Sequence, residues 1–153
     1  MGASIRVIAV SILLLIIGTT HLGAQCISFA KKVGKEQLGD YLHDGNYNAT
    51  VLGEGEKAEL YKTFFSSQRY RIAVAKVDQL PDIRLRILDQ AGNVLFDNAD
   101  HDYVLVWDFR IVSTQMLVVE LTVLEHDTES DTLMSGCVSV LFGMESDQKK
   151  KKR

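Results

Sequence analysis

Asp97-Asn98-Ala99-Asp100-His101-Asp102 is the densest run of oxygen ligands in the chain. Carboxylates at Asp97, Asp100 and Asp102, spaced along a strand-connecting loop, could converge on calcium, a hard cation that takes about six to eight oxygens. The run has neither the fixed glycine nor the closing bidentate Glu of a calcium loop. Short acidic loops are normally solvated turns whose Asp and Asn bond their own backbone. Calcium at Asp97, Asp100 and Asp102 is the single metal site the sequence offers, and no other cofactor is expected. Asp100, His101 and Asp102 also set an imidazole between two carboxylates, the raw material of a small hydrolase.

Other chemistry finds little support. A zinc site wants three or four N/S ligands with at least one close pair, and His43, His101 and His126 each lack a second His or Cys within five positions. They read as surface residues, with His43 placed to cap carbonyls at a helix end. There is no Gly-x-Ser-x-Gly elbow, and Ser135-Gly136-Cys137 has no adjoining base. Gly53-Glu54-Gly55 lacks the helix and lysine of a phosphate loop. Asp82 and Asp89 are carboxylates that nothing places at acid/base distance. Asn48-Ala49-Thr50 is a glycosylation sequon. Tyr61, Phe64, Phe65, Tyr70, Tyr103, Trp107 and Phe109 suffice to build a core and are read as doing so. Tyr61 or Tyr103, if exposed on a concave sheet face, would instead offer a ring for sugar stacking.

The residues that precede these elements have their own purpose. Arg6, the apolar run Val7–Ile17 and the small-residue exit through Gly23-Ala24 have the layout of a secretory signal peptide, with cleavage expected after Ala24. A run of about 11 apolar residues is short for a bilayer, which needs about 20. The alternative is an uncleaved anchor. Gln25 stands where a small residue precedes a lipidated cysteine, so Cys26 is not read as a lipid carrier. Export, to the periplasm or beyond, puts Cys26 and Cys137 where thiols oxidise, and an intramolecular disulfide between them is the expectation.

Of 17 basic residues, Arg6 leaves with the leader and five more occupy the terminal Lys149–Arg153 run, leaving 11 against 20 acids, net −9. Such a body repels nucleic acid. Residues 145–153 read as a solvated basic tail. With 153 residues, 46% of them hydrophobic and one proline, the chain suits one globular domain rather than a disordered or multi-pass membrane protein.

Residues 25–46 carry the only helical rhythm, with Ile27, Ala30, Val33, Leu38 and Tyr41/Leu42 recurring every three to five positions until His43-Asp44-Gly45-Asn46 breaks it. Gly34 and Gly39 each weaken that helix by roughly 1 kcal/mol relative to Ala, so it needs a surface to lie on. From Tyr47 the period becomes two, with strands expected over Tyr47–Leu52, Ala58–Phe65, Tyr70–Val77, Ile83–Ile87, Val94–Asp97, Tyr103–Arg110, Gln115–Leu124 and Cys137–Phe142, the last two separated by the polar loop His126–Asp131. Gln90-Ala91-Gly92-Asn93 makes the fourth and fifth a hairpin. The late strands are apolar on both faces, Met116 and Val118 beside Leu117 and Val119, which calls for cover on both sides. The helix is the available cover. Val138, Val140 and Phe142 should line the interior, aiming Cys137 at the helix that Cys26 begins.

The fold expected over residues 47–144 is therefore an all-β, jelly-roll-like antiparallel sandwich of about eight strands with one N-terminal α-helix packed on it. Gln68-Arg69-Tyr70-Arg71-Ile72-Ala73-Val74, Leu80 to Asp89 before Gly92-Asn93-Val94-Leu95, and Val118-Val119-Glu120-Leu121 resemble the strands and hairpin of the bacterial pre-peptidase C-terminal type of β-sandwich, over about 90 residues. The Gly-x-Tyr-Tyr of that pattern reads Gln115-Met116-Leu117-Val118 here. The resemblance implies a non-catalytic accessory domain, sometimes accompanied by calcium, and is shared with exported bacterial proteins of this length. The function expected is an exported, non-enzymatic module binding a protein or a cell-surface glycan. The alternatives are a self-associating envelope component, since sheet edges can pair, and the hydrolase above.

Overall fold

A computed structural model describes residues 21–126 and 133–146. Tyr70, Ile72 and Val74 alternate with Arg71, Ala73 and Ala75, and Ile83, Leu85 and Ile87 with Arg84 and Arg86. Side chains two apart share one face of a strand, so the Ile83–Ile87 run is buried on one side, whereas Ile72, Ala73, Val74 and Ala75 are buried on both. Nine strands result: β1 (Leu42–His43), β2 (Asn48–Gly53), β3 (Lys57–Phe64), β4 (Arg69–Lys76), β5 (Ile83–Leu88), β6 (Val94–Asp97), β7 (Val106–Arg110), β8 (Gln115–Val123) and β9 (Ser135–Met144). The first sheet runs β2-β9-β4-β7, with the two-residue β1 on the same edge of β9 as β2; the second runs β3-β8-β5-β6. All pairings are antiparallel. The chain passes repeatedly between layers, giving an all-β, two-sheet antiparallel sandwich. The loop expected over His126–Asp131 and the basic tail fall almost wholly outside the described residues.

Phe64, Ile72, Ile83, Leu85, Leu117, Val119, Val138 and Phe142 fill the space between the sheets. Phe64 sits edge-on to Tyr70, Phe109 and Phe142. A second, smaller core lies on the outer side of the first sheet, where Ala30 and Leu38 meet Ala73 and Leu141.

The helical segment comprises α1 (His21–Phe29), a π-helical stretch (Ala30–Gly34) and a last turn, α2 (Lys35–Gln37). It ends earlier than Leu42, because Gly39 takes a left-handed φ of +54° and frees Leu42–His43 to pair with β9. α1 also includes His21–Ala24, ahead of the Ala24–Gln25 bond where cleavage is expected. Gly34, a weakness in an isolated helix, is the point of closest approach here. A Cβ there would lie 2.9 Å from Leu141 Cδ1 and 3.2 Å from Ser139 Oγ. Cys26 and Cys137 form a disulfide across 111 residues, latching α1 to β9 as the outward direction of Cys137 requires.

Candidate functional site

The acidic loop that carries the calcium and hydrolase expectations forms a structural corner. Asn98 is fully buried; its Oδ1 accepts from Leu85 N at 2.8 Å and its Nδ2 donates to Ile83 O and Val104 O at 2.9 and 3.1 Å. Arg84 forks onto Asp97, whose Oδ1 also accepts from Ala99 N. The guanidinium outweighs burial and holds the Asp97 carboxyl below its ordinary value. Asp97 is thus spent on Arg84 rather than free for a metal. Asp102 closes the 3-10 turn in a left-handed conformation, exposed to solvent. The His101 ring stacks on Phe96 and leans on Trp107, at 5.3 and 5.2 Å, with no hydrogen bond to Asp100 or Asp102. Among the described residues no group of three His, Cys, Asp or Glu side chains could hold a metal ion. His43 lies beside the Asn46 carbonyl, His126 is an exposed neighbour of Glu54, and Asp89 ties its own turn through Ala91 N and Asn93 N.

The outer face of the second sheet is organised differently. Its register sets Glu59 opposite Glu120 and Tyr61 opposite Val118, with Arg86 and Leu88 on the far side of β8. Two like charges directly opposite would repel. Lys57 Nζ bridges both carboxylates at 3.0 Å each, and Arg86 Nε donates to Glu120 Oε1 at 2.6 Å. Burial pushes the nearly buried Glu120 carboxyl up, but hydrogen bonds from Lys57 and Arg86 overcome this and leave it below its ordinary value. The hydrogen bonds to Glu59 and Glu120 raise the pKa of Lys57 in turn. This row of charge is internally neutralised.

Beside it runs an apolar row: Tyr61, Val118 and Leu88, with Met116 next along β8. Together with Gln90 and Gly92 they line a concavity of about 430 Å³. The helix lies on the other sheet, so among the described residues it does not cover the Met116/Val118 side as expected, and Tyr61 is 61% and Met116 37% exposed. Tyr61 and Phe65 therefore leave the expected core, while Phe64, Tyr70, Trp107 and Phe109 join it. Tyr103 is half-buried at a positive φ of 52°. The signal for Tyr61 was in the sequence: it shares the phase of Lys57 and Glu59, opposite to Ala58, Leu60 and Phe64.

No family model matches the chain, and no curated protein matches it. Among solved structures it is similar to the crystal structure of Aeromonas hydrophila PliG, a periplasmic lysozyme inhibitor of g-type lysozyme. The TM-score is 0.48 and the identity 6%, over 65% of this chain and 84% of that one. At that identity and score no site residue carries over. No helix among the described residues is long and apolar enough to cross a membrane.

Proposed function

We propose that the protein is an exported, non-catalytic module that binds another protein through the outer face of its second sheet. The observation that carries this reading is the row of exposed Tyr61 and Met116 with half-buried Val118 and Leu88, beside a charged row already satisfied within the fold. Aromatic and Met side chains ringed by polar groups are the composition of protein contact centres. The Tyr61 ring also suits a sugar, but a sugar needs uncommitted polar groups around the ring. Glu59 is held by Lys57 and Asp89 by its own turn, which leaves Gln90. Export rests on the leader and accords with the use of both cysteines in one disulfide. A role as an accessory domain of the pre-peptidase C-terminal type belongs to the same proposal and rests on the hairpin motifs.

Site-specific photocrosslinking from position 61 in the native host tests it. A discrete protein adduct, lost on Met116→Glu while the melting temperature holds, is expected. Tyr61→Ala should weaken binding to the protein so identified by about 30-fold or more, the scale of an aromatic hot spot. Absence of any adduct, together with a glycan-array signal that Tyr61→Ala abolishes, would replace the protein reading with the glycan one.

A further inference from the structure

β2 and β3 are consecutive strands in opposite sheets, splayed apart by the corner at residues 53–56. Each lies at the edge of its sheet, β2 paired with β9 and β3 with β8. Between them opens a cleft of about 330 Å³, which meets the Tyr61 concavity only at Glu59. Residues 48–50 and 58–60 form its walls, each from a strand paired on one side only among the described residues, and Val119, Leu121, Val138 and Val140 form its floor.

We propose that this cleft takes an extended peptide segment of a partner protein, with alternating apolar side chains on the floor and its main chain bonded to a strand edge. The walls select that occupant. An acyl chain would strip water from edge N–H and C=O groups and return no hydrogen bond, whereas a strand satisfies them and fills the floor together. A second copy of this chain is disfavoured by Lys62, which bonds Asp44 at 2.5 Å and lies 4.7 Å from the Phe142 ring centre. An inward lysine on an edge strand opposes pairing along the whole of β3 by a second sheet, and it stops the cleft after residue 60, leaving room for a short segment only.

Charge orients the segment. Glu54 and Glu56 stand on the corner, with Glu125 against Gly55. At the other end Lys31 Nζ sits 5.4 Å from the ring centre of Tyr47, a wall residue, and makes no ion pair among the described residues. The peptide should therefore carry a basic residue at the corner end and an acidic one at the Tyr47 end.

Capped heptapeptides of the pattern Lys-Val-Thr-Val-Thr-Val-Glu and its end-for-end charge reversal, titrated into the isotope-labelled full chain, test the proposal by amide chemical shifts. Shifts centred on residues 48–50 and 58–60 are expected, with one charge order binding at least 5-fold more tightly. N-methylation of alternate peptide amides should weaken binding at least 10-fold. Ala58→Phe, which fills the floor, should do likewise, while Tyr61→Ala leaves the titration unchanged and keeps the two sites distinguishable. No shift at those amides with millimolar peptide overturns the proposal. So does equal binding of the N-methylated peptide, which needs no variant to fold, a shift of the same amides by laurate instead, or their loss into a concentration-dependent dimer.

Discussion

Replacing both Cys26 and Cys137 by Ala removes a cross-link between positions 111 residues apart, which encloses most of the folded chain. In the loop-closure model a loop of that length restricts the unfolded chain by about 16 cal/mol/K, or about 4.8 kcal/mol at 25 °C. Domains of this kind are stable by about 5–15 kcal/mol in all, so the loss is a large fraction of the total. Alanine is the better probe, because Cys26 is fully buried and serine would strand a hydroxyl there. The expected result is a fall of about 15 °C in melting temperature, with a steeper urea dependence as the released unfolded chain exposes more surface. Urea and thermal melts of the double variant against the oxidised protein provide the measurement. The smaller helix-side core, Ala30 and Leu38 on Ala73 and Leu141, cannot hold the helix as firmly without the latch. Amide exchange should therefore rise over residues 25–37 as well as globally. A midpoint moved by less than about 3 °C would refute the reasoning, as would loosening confined to the helix. Either result would mean that the cross-link restrains a local segment rather than the whole unfolded chain.

Three further outcomes test the packing and the electrostatics. Glu120→Gln should cost about 1–2 kcal/mol by chemical denaturation, because it leaves Lys57 and Arg86 around a neutral amide. The folded-state pKa of Glu120 lies below the ordinary 4.5, so its contribution is complete above that pH and is lost as pH falls through the lowered value. Stability measured against pH below 4.5 should accordingly fall less steeply in Glu120→Gln. Gly143→Ala puts a Cβ 2.6 Å from Tyr41 Cβ and should destabilise by about 2 kcal/mol in thermal melts. Gly34→Ala, meeting the movable end of Leu141 and gaining helix propensity, should cost less than half as much. Asn98→Ala strands Leu85 N, Ile83 O and Val104 O and should cost about 3 kcal/mol, with no change caused by added calcium.

Strand phase was readable residue by residue because it depends on local alternation. Ile83, Leu85 and Ile87, and then Val138, Val140 and Phe142, point inward as their spacing requires, and the direction of Cys137 follows from the second set. The partner of Asp97 was not legible locally, because an Asp that binds metal and an Asp that binds Arg look alike in a sequence. Arg84 is 13 positions from Asp97 and meets it only because β5 and β6 form a hairpin. Gly34 misled for a similar reason: its cost to a helix is local, while its benefit against Leu141 depends on which sheet the helix covers.

The sequence by itself determined the two-layer fold, its strand phases and the partner of each cysteine, because period-two burial and a single possible pairing leave little choice. Which layer the helix covers was decided only by tertiary structure. Small residues at Gly34, Ala73 and Gly143 let the helix approach the first sheet, and the disulfide fixes it there. That choice leaves Tyr61 and Met116 exposed on the second sheet, while β2 and β3 diverge into opposite sheets at the edge that carries Tyr61. Both surfaces arise from contacts between residues far apart in the chain, which no local pattern encodes.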